Sequence, residues 1–191
     1  MWSAHEGPCR NLIGDAEAIR RVEREALLAA GSRLNVLITG ASSAVNSVVA
    51  RFIHERSDRA ARGFAAISCK DLQGVLFESQ LFGHVRGSFP GAHQNKFGFV
   101  NTVPGGTIYL DDVSALGEGN QAVLLRYLET GEYMPLGGDR LQLAPHVRLI
   151  ASTTVNLPDQ VAAGLFLPAL YYRLNVVALH VPLRDGRDEI S

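Results

Sequence analysis

VLITGASSAVNSVVARFI, residues 36–53, carries the change of rhythm that decides the fold. Val36, Leu37 and Ile38 open an apolar run that ends at Thr39-Gly40, the pattern of a strand buried on both faces. A short polar loop follows. Val48, Val49, Phe52 and Ile53 then recur at helical spacing and stop near Arg56. Strand, small-residue turn and helix make one βα unit.

The same alternation extends in both directions. Upstream, Asp15 to Ala30 reads as a helix capped by Asp15, with Ile19, Val22 and Leu27 on roughly one face and Gly31 as its stop. Leu34 to Thr39 is the first strand. Downstream, Phe64–Ile67, Thr107–Leu110, Val147–Ala151 and Val176–Val181 are further apolar strands, with an amphipathic helix through Val123, Leu124, Tyr127 and Leu128. Five apolar strands separated mainly by helical patterns predict an α/β fold with a mainly parallel sheet between two helical layers. Leu81 to Asn101 is rich in Gly, aromatic and basic residues without a steady period, and reads as a long loop or inserted hairpin.

Composition narrows the function. The 191 residues are 47% hydrophobic and 19% charged, with a formal net charge of −1. That balance argues against a broad phosphate-neutralising surface. Cys9 and Cys69 lie far apart, which fits a reduced setting rather than a disulfide framework. The start has no basic segment followed by an apolar one, and no run of about 18 apolar residues occurs anywhere, so a cytoplasmic protein is expected. His84 and His93 flank the Gly-rich loop without metal spacing. His54 is expected on the exposed side of its helix, and His146 and His180 beside strand edges.

LFGHVRGSFPGA (81–92), GGTIYLDDV (105–113), LLRYLETGEYMPLGG (124–138), VRLIAS (147–152) and LYYRLNVVALHVPLRDGRDEI (170–190) follow one another in an order that closely resembles the central AAA+ ATPase domain of sigma-54-dependent transcription activators. The likeness runs from about Leu12 to the last residue. It implies a P-loop NTPase-like three-layer sandwich, ATP and Mg²⁺ as cofactors, a ring of subunits, and a loop that moves against the sigma-54 RNA polymerase holoenzyme. It also implies a division into an N-terminal tail, 1–11, and an α/β subdomain, 12–191, that stops before the family's helical lid.

The phosphate loop of this family reads G-E-S-G-T-G-K-E, and the matching positions are Gly40, Ala41, Ser42, Ser43, Ala44, Val45, Asn46 and Ser47. A P-loop brings backbone N–H groups close to phosphate and needs a Lys at the β and γ phosphates. Val45 stiffens the chain where glycine lets it curl. Asn46 is short and uncharged, and losing one such donor typically costs about 100- to 1,000-fold in rate. Gly40, Ser42, Asn46 and Ser47 are the remnant nucleotide positions by resemblance. The alternative is an ordinary strand-to-helix turn.

Resemblance also assigns Asp111 to the metal and Asp112 to the attacking water in place of the family's Glu; Ser47, where the family has Glu, could offer a hydroxyl to Mg²⁺ if nucleotide binds, but alone it anchors nothing. Asp112 is shorter than Glu by on the order of 1.5 Å. Thr154 takes the place of the sensor asparagine, and Ser68 that of an asparagine restraining the catalytic acid. Of two arginines that reach a neighbouring subunit's site, one is Leu167 here and the other remains as Arg173. Such an arginine contributes about 10³- to 10⁵-fold to phosphoryl transfer. A surface Arg paired with an acid is the alternative reading.

The family's sigma-contacting G-A-F-T-G-A reads Gly87-Ser88-Phe89-Pro90-Gly91-Ala92. Phe89 is expected as an exposed aromatic at the loop tip. Pro90 fixes φ near −65° and, with Gly91, matches a type II turn. Val85 stands where an acid is usual. Together the substitutions imply a transcription-regulating module deficient in nucleotide hydrolysis, acting by binding or by homo- or hetero-oligomerisation with intact activators. The family is an ATPase family; for this chain a weakly active ATP-binding activator and a non-functional gene fragment stay open. No DNA-binding helix pair and no membrane segment are read in the chain.

Overall fold

The computed structural model describes residues 16–182 apart from Ala41 and Pro145. The expected cap Asp15, Cys9 and the DGRDEI stretch lie outside the described residues. Helix α1 spans Ala16–Ala30, strand β1 Val36–Gly40, helix α2 Ser43–Glu55 and strand β2 Phe64–Ser68. Helix α3 (Val75–Phe82) leads into a hairpin of β3 (Gly83–His84) and β4 (Lys96–Phe97), then a short α4 (Phe99–Thr102). β5 (Thr107–Asp111), α5 (Glu118–Thr130) and a second hairpin of β6 (Glu132–Tyr133) and β7 (Gln142–Leu143) follow. β8 (Arg148–Thr153), α6 (Leu157–Ala162), α7 (Pro168–Leu174) and β9 (Val177–Val181) close the series.

Five strands form one sheet in the order β2-β5-β8-β1-β9, and every neighbouring pair is parallel. The three central strands send alternate side chains to two separate cores. Leu37, Ile108, Leu110, Leu149 and Ala151 pack with α3, α5 and α7. Val36, Ile38, Tyr109 and Ile150 pack with α1 and α2 on the opposite face. This is the expected three-layer α/β sandwich, with continuous apolar strands because both faces are covered.

Three local expectations are corrected. The first strand starts at Val36, and Leu34 is exposed. Leu27 also faces outward, while Ala26, Ala29 and Ala30 are buried beside Val22, so small residues let α1 pack closely. His54 is buried at 4% exposure, with its Nδ1 at 2.9 Å from Thr107 Oγ1 and its ring tilted against Phe64. The partner on β5, 53 residues away, makes that burial tolerable.

One buried cation ties the layers together. Arg148 is 1% exposed; its Nη2 donates to the carbonyl of Ala29 at 2.6 Å and its Nε to that of Leu34 at 3.2 Å. It satisfies carbonyls at and beyond the end of α1, where a positive charge is favoured.

Candidate functional site

Parallel strands end together, and loops at the carboxyl edge of such a sheet are where α/β proteins place ligands. Gly40, Ser68, Asp111 and Thr153 lie at that edge on β1, β2, β5 and β8. Gly40 has φ +93°, and a Cβ there would stand 2.2 Å from the Val181 carbonyl oxygen on β9, so only glycine fits.

The loop after β1 is short because α2 starts early. Ser42 is its N-cap, accepting from the Val45 N–H at 3.4 Å, and the Asn46 N–H already donates to the Ser42 carbonyl at 2.9 Å. Val45, 4% exposed, belongs to the core between α1, α2 and the sheet. Asn46 is completely buried, and among the described residues neither its Nδ2 nor its Oδ1 has a hydrogen-bond partner. Ser47 turns its hydroxyl back to the Ala44 carbonyl at 3.0 Å, a local helix bond.

Asp111 is enclosed by donors. Its Oδ1 accepts from the Tyr109 hydroxyl and Ser152 Oγ, both at 2.9 Å, and its Oδ2 accepts from Ser43 Oγ. Burial, first, and the nearby Asp111 charge push the Tyr109 phenol well above its ordinary range, so it stays a donor. Asp112 is 3% exposed and takes a left-handed backbone, φ 54° and ψ 69°. Its Oδ2 lies 2.7 Å from Lys70 Nζ. The hydrogen bond to Asp112, then the charge of the same carboxylate, raises the Lys70 ammonium above its usual value. Ser68 does not reach this acid; its hydroxyl accepts from the Asp71 N–H at 3.3 Å.

Ser43, Ser152 and Lys70 were not among the sequence candidates. Lys70 was in principle legible: β2 and β5 run in register with Ser68 opposite Asp111, which carries Lys70 to the end of the acidic strand. Ser43 and Ser152 depend on tertiary approach and leave no local signal. Thr154 stands exposed one residue beyond β8. Arg173, on α7, lies 3.9 Å from Glu129, both side chains about half exposed. The loop after β1 thus reaches the acids through Ser43 on Asp111, Asn46 and Ser47 turn into their own helix and core, and Arg173 pairs with Glu129.

The Gly-rich stretch is an inserted hairpin, as expected. The Ala92 N–H donates to the Phe89 carbonyl at 3.0 Å and Gly91 has φ +104°, the bond and the glycine conformation of a type II turn over Pro90-Gly91. Phe89 is a correction. It is half-buried, with its ring edge-on to His84 at 5.0 Å, and His84 Nδ1 is 2.7 Å from Ser79 Oγ. Gly87 and Pro90 are exposed beside it. Among the described residues no group of His, Cys, Asp and Glu could hold a metal by clustering, and no helix is long and apolar enough to cross a membrane.

A family model described as the sigma-54 interaction domain matches residues 12–180. The chain belongs to the sigma-54 interaction domain family. It is 38% identical over 189 residues to the response regulator protein PilR of Pseudomonas aeruginosa, covering 98% of this chain and 42% of that protein. Similarity to the C4-dicarboxylate transport transcriptional regulatory protein DctD of Rhizobium meliloti is 38% over 180 residues, covering 94% of this chain and 39% of the other. This sigma-54 interaction domain thus spans less than half the length of these relatives. Among solved structures, NtrX from Brucella abortus in complex with ATP superposes with a TM-score of 0.80 at 30% identity, covering 94% of this chain and 40% of that one. The P-loop NTPase domain of an Escherichia coli sigma-54 transport activator shares the fold, with a TM-score of 0.58 at 19% identity over 89% of this chain and 98% of that one.

Proposed function

We propose that this sigma-54 interaction domain is deficient in nucleotide hydrolysis and acts in transcription regulation by binding or by co-assembly with intact activators. The observation that carries the reading is Asn46. Where a P-loop Lys would extend toward phosphate, a short amide is sealed inside the domain without a partner. Val45 fills core space, so the loop is a capped helix start and not an open cradle. Both Asp111 oxygens accept protein hydroxyls, and Ser47 points into its own helix. This set of side chains does not fit a magnesium triphosphate.

Co-assembly rests on Arg173. Its partner Glu129 is 3.9 Å away, both are half-exposed, and such pairs hold weakly. The side chain is therefore available to a neighbouring subunit, in the cytoplasm where the family's polymerase partner works. Gly87, Phe89, Pro90 and Gly91 supply the surface for the sigma-54 holoenzyme, with Phe89 drawn back against His84.

A weak ATPase is the second reading, favoured by the superposition on ATP-bound NtrX. Thermal melting separates the two. Nucleotide at 100 times its Kd stabilises by about 2.7 kcal/mol. No shift with ATP·Mg, together with altered ATPase of an intact activator on mixing, supports co-assembly; a clear shift supports the weak enzyme. An activator ATPase that is blind to the added chain removes the co-assembly reading.

A further inference from the structure

Asp112 poses a question that the nucleotide reading leaves unanswered. A carboxylate this deeply buried is costly unless a counter-charge and hydrogen bonds accompany it. Its left-handed backbone is the only non-glycine residue with positive φ among the described residues. Strain of that kind persists when the surroundings over-determine it. They do so here: the Asp112 N–H donates to Ser152 Oγ at 3.3 Å, Ser114 Oγ donates to Oδ1, and Lys70 Nζ meets Oδ2 at 2.7 Å.

The structure assigns to Lys70 the role of a resident cation, paired with Asp112 at the end of the acidic strand where a divalent metal would otherwise be held, and barring that metal from it. The assignment rests on the reading that this chain does not turn over nucleotide. Three facts support it. Asp111 has hydroxyls of Ser43, Tyr109 and Ser152 on its oxygens, none of which carries charge, and the one ion pair at this strand end among the described residues is Lys70 with Asp112. A magnesium ion demands near-octahedral oxygen ligands at about 2.0–2.1 Å, and these three hydroxyls already take most of the acceptor capacity of Asp111. An arriving dication would also meet the ammonium at contact distance, where like charges repel strongly.

The Lys70 side chain is 61% exposed, and between two exposed groups such a pair contributes little. Here one partner is 4% exposed, so removing Lys70 leaves a buried carboxylate without its counter-charge.

The test is a Mn²⁺ titration of the full chain, without nucleotide, read by electron paramagnetic resonance, with melting followed with and without Mg²⁺. Wild type should show no saturable sub-millimolar Mn²⁺ site and no Mg²⁺-dependent shift. Lys70→Met should bind Mn²⁺ at least about tenfold more tightly, because a like charge at contact distance is gone. It should also melt lower in metal-free buffer and recover with Mg²⁺. Lys70→Arg keeps the charge and should match wild type. Equal Mn²⁺ affinity in wild type and Lys70→Met overturns the assignment. If Lys70→Met does not fold, saturable Mn²⁺ binding by wild type overturns it; absence of binding there, with Lys70→Arg folded and equally blind to the ion, supports it. A separate ATP·Mg arm addresses hydrolysis deficiency: an ATP-dependent shift in a wild type that ignores Mn²⁺ alone counts against that reading and leaves Lys70 in place.

Discussion

Ser43, in the first turn of α2, donates its hydroxyl to Asp111, at the end of β5, so the loop after β1 is fastened to the acidic strand 68 residues away. Repairing the loop alone therefore leaves the acid occupied. Val45→Gly with Asn46→Lys is expected to give no ATP binding by calorimetry. Adding Ser43→Gly and Lys70→Ala is expected to create it. Stability should fall, since glycine in a helix interior costs about 1 kcal/mol and Val45 leaves a core gap.

Asn46→Leu is expected to stabilise the chain. Both amide atoms are buried without partners, and an unsatisfied buried polar group costs about 1–3 kcal/mol. Leucine is similar in shape and asks for no hydrogen bond. For a chain of this size each kcal/mol raises Tm by about 2–4 °C, readable by calorimetry. A lower Tm would mean that water or another group already serves the amide.

His54 gives stability a pH dependence. Burial, first, holds its imidazole below the ordinary value; Arg51 and Arg148 add to this, while the backbone at Arg62 and Glu55 oppose it. Below about pH 6.5 the unfolded chain takes up a proton that the folded chain refuses, so stability falls as pH drops and is unaffected above that value. The slope from this one group is at most about 1.4 kcal/mol per pH unit. Urea titrations between pH 7 and 5 should show it in wild type and lack that component in His54→Gln.

Pro90→Thr is expected to loosen the turn that holds Phe89. The Ala92 N–H is protected by its bond to the Phe89 carbonyl, and Pro90 pre-sets the turn. Hydrogen exchange at Ala92 should speed up in the variant, with the core strands unchanged. Unaltered exchange would show that His84 alone restrains the loop.

The sheet is legible because β1, β5 and β8 each hold three consecutive apolar residues, Val36–Ile38, Ile108–Leu110 and Leu149–Ala151, as a strand covered on both faces requires. Periodicity served less well on the helices. It favours bulky residues and so points Leu27 inward, although Ala26, Ala29 and Ala30 are the buried residues there. Helical spacing does not reveal the burial of His54, because its partner, Thr107, comes from a strand. At the strand ends the positions of Gly40, Asp111 and Asp112 followed from the run of apolar residues before them. Their partners Ser43, Ser152 and Lys70 did not, since strand register and loop length decide which side chains meet. The retracted Phe89 likewise depends on His84 lying beneath the hairpin.

Arg148 makes the first helix inseparable from the rest. Trimming the protein back to the start of β1 would strip the guanidinium of the Ala29 and Leu34 carbonyls and leave its charge stranded under the central strand. It would also uncover the face formed by Val36, Ile38 and Val49. A shortened version should collect in inclusion bodies. Anyone seeking a minimal domain has to keep the whole of α1.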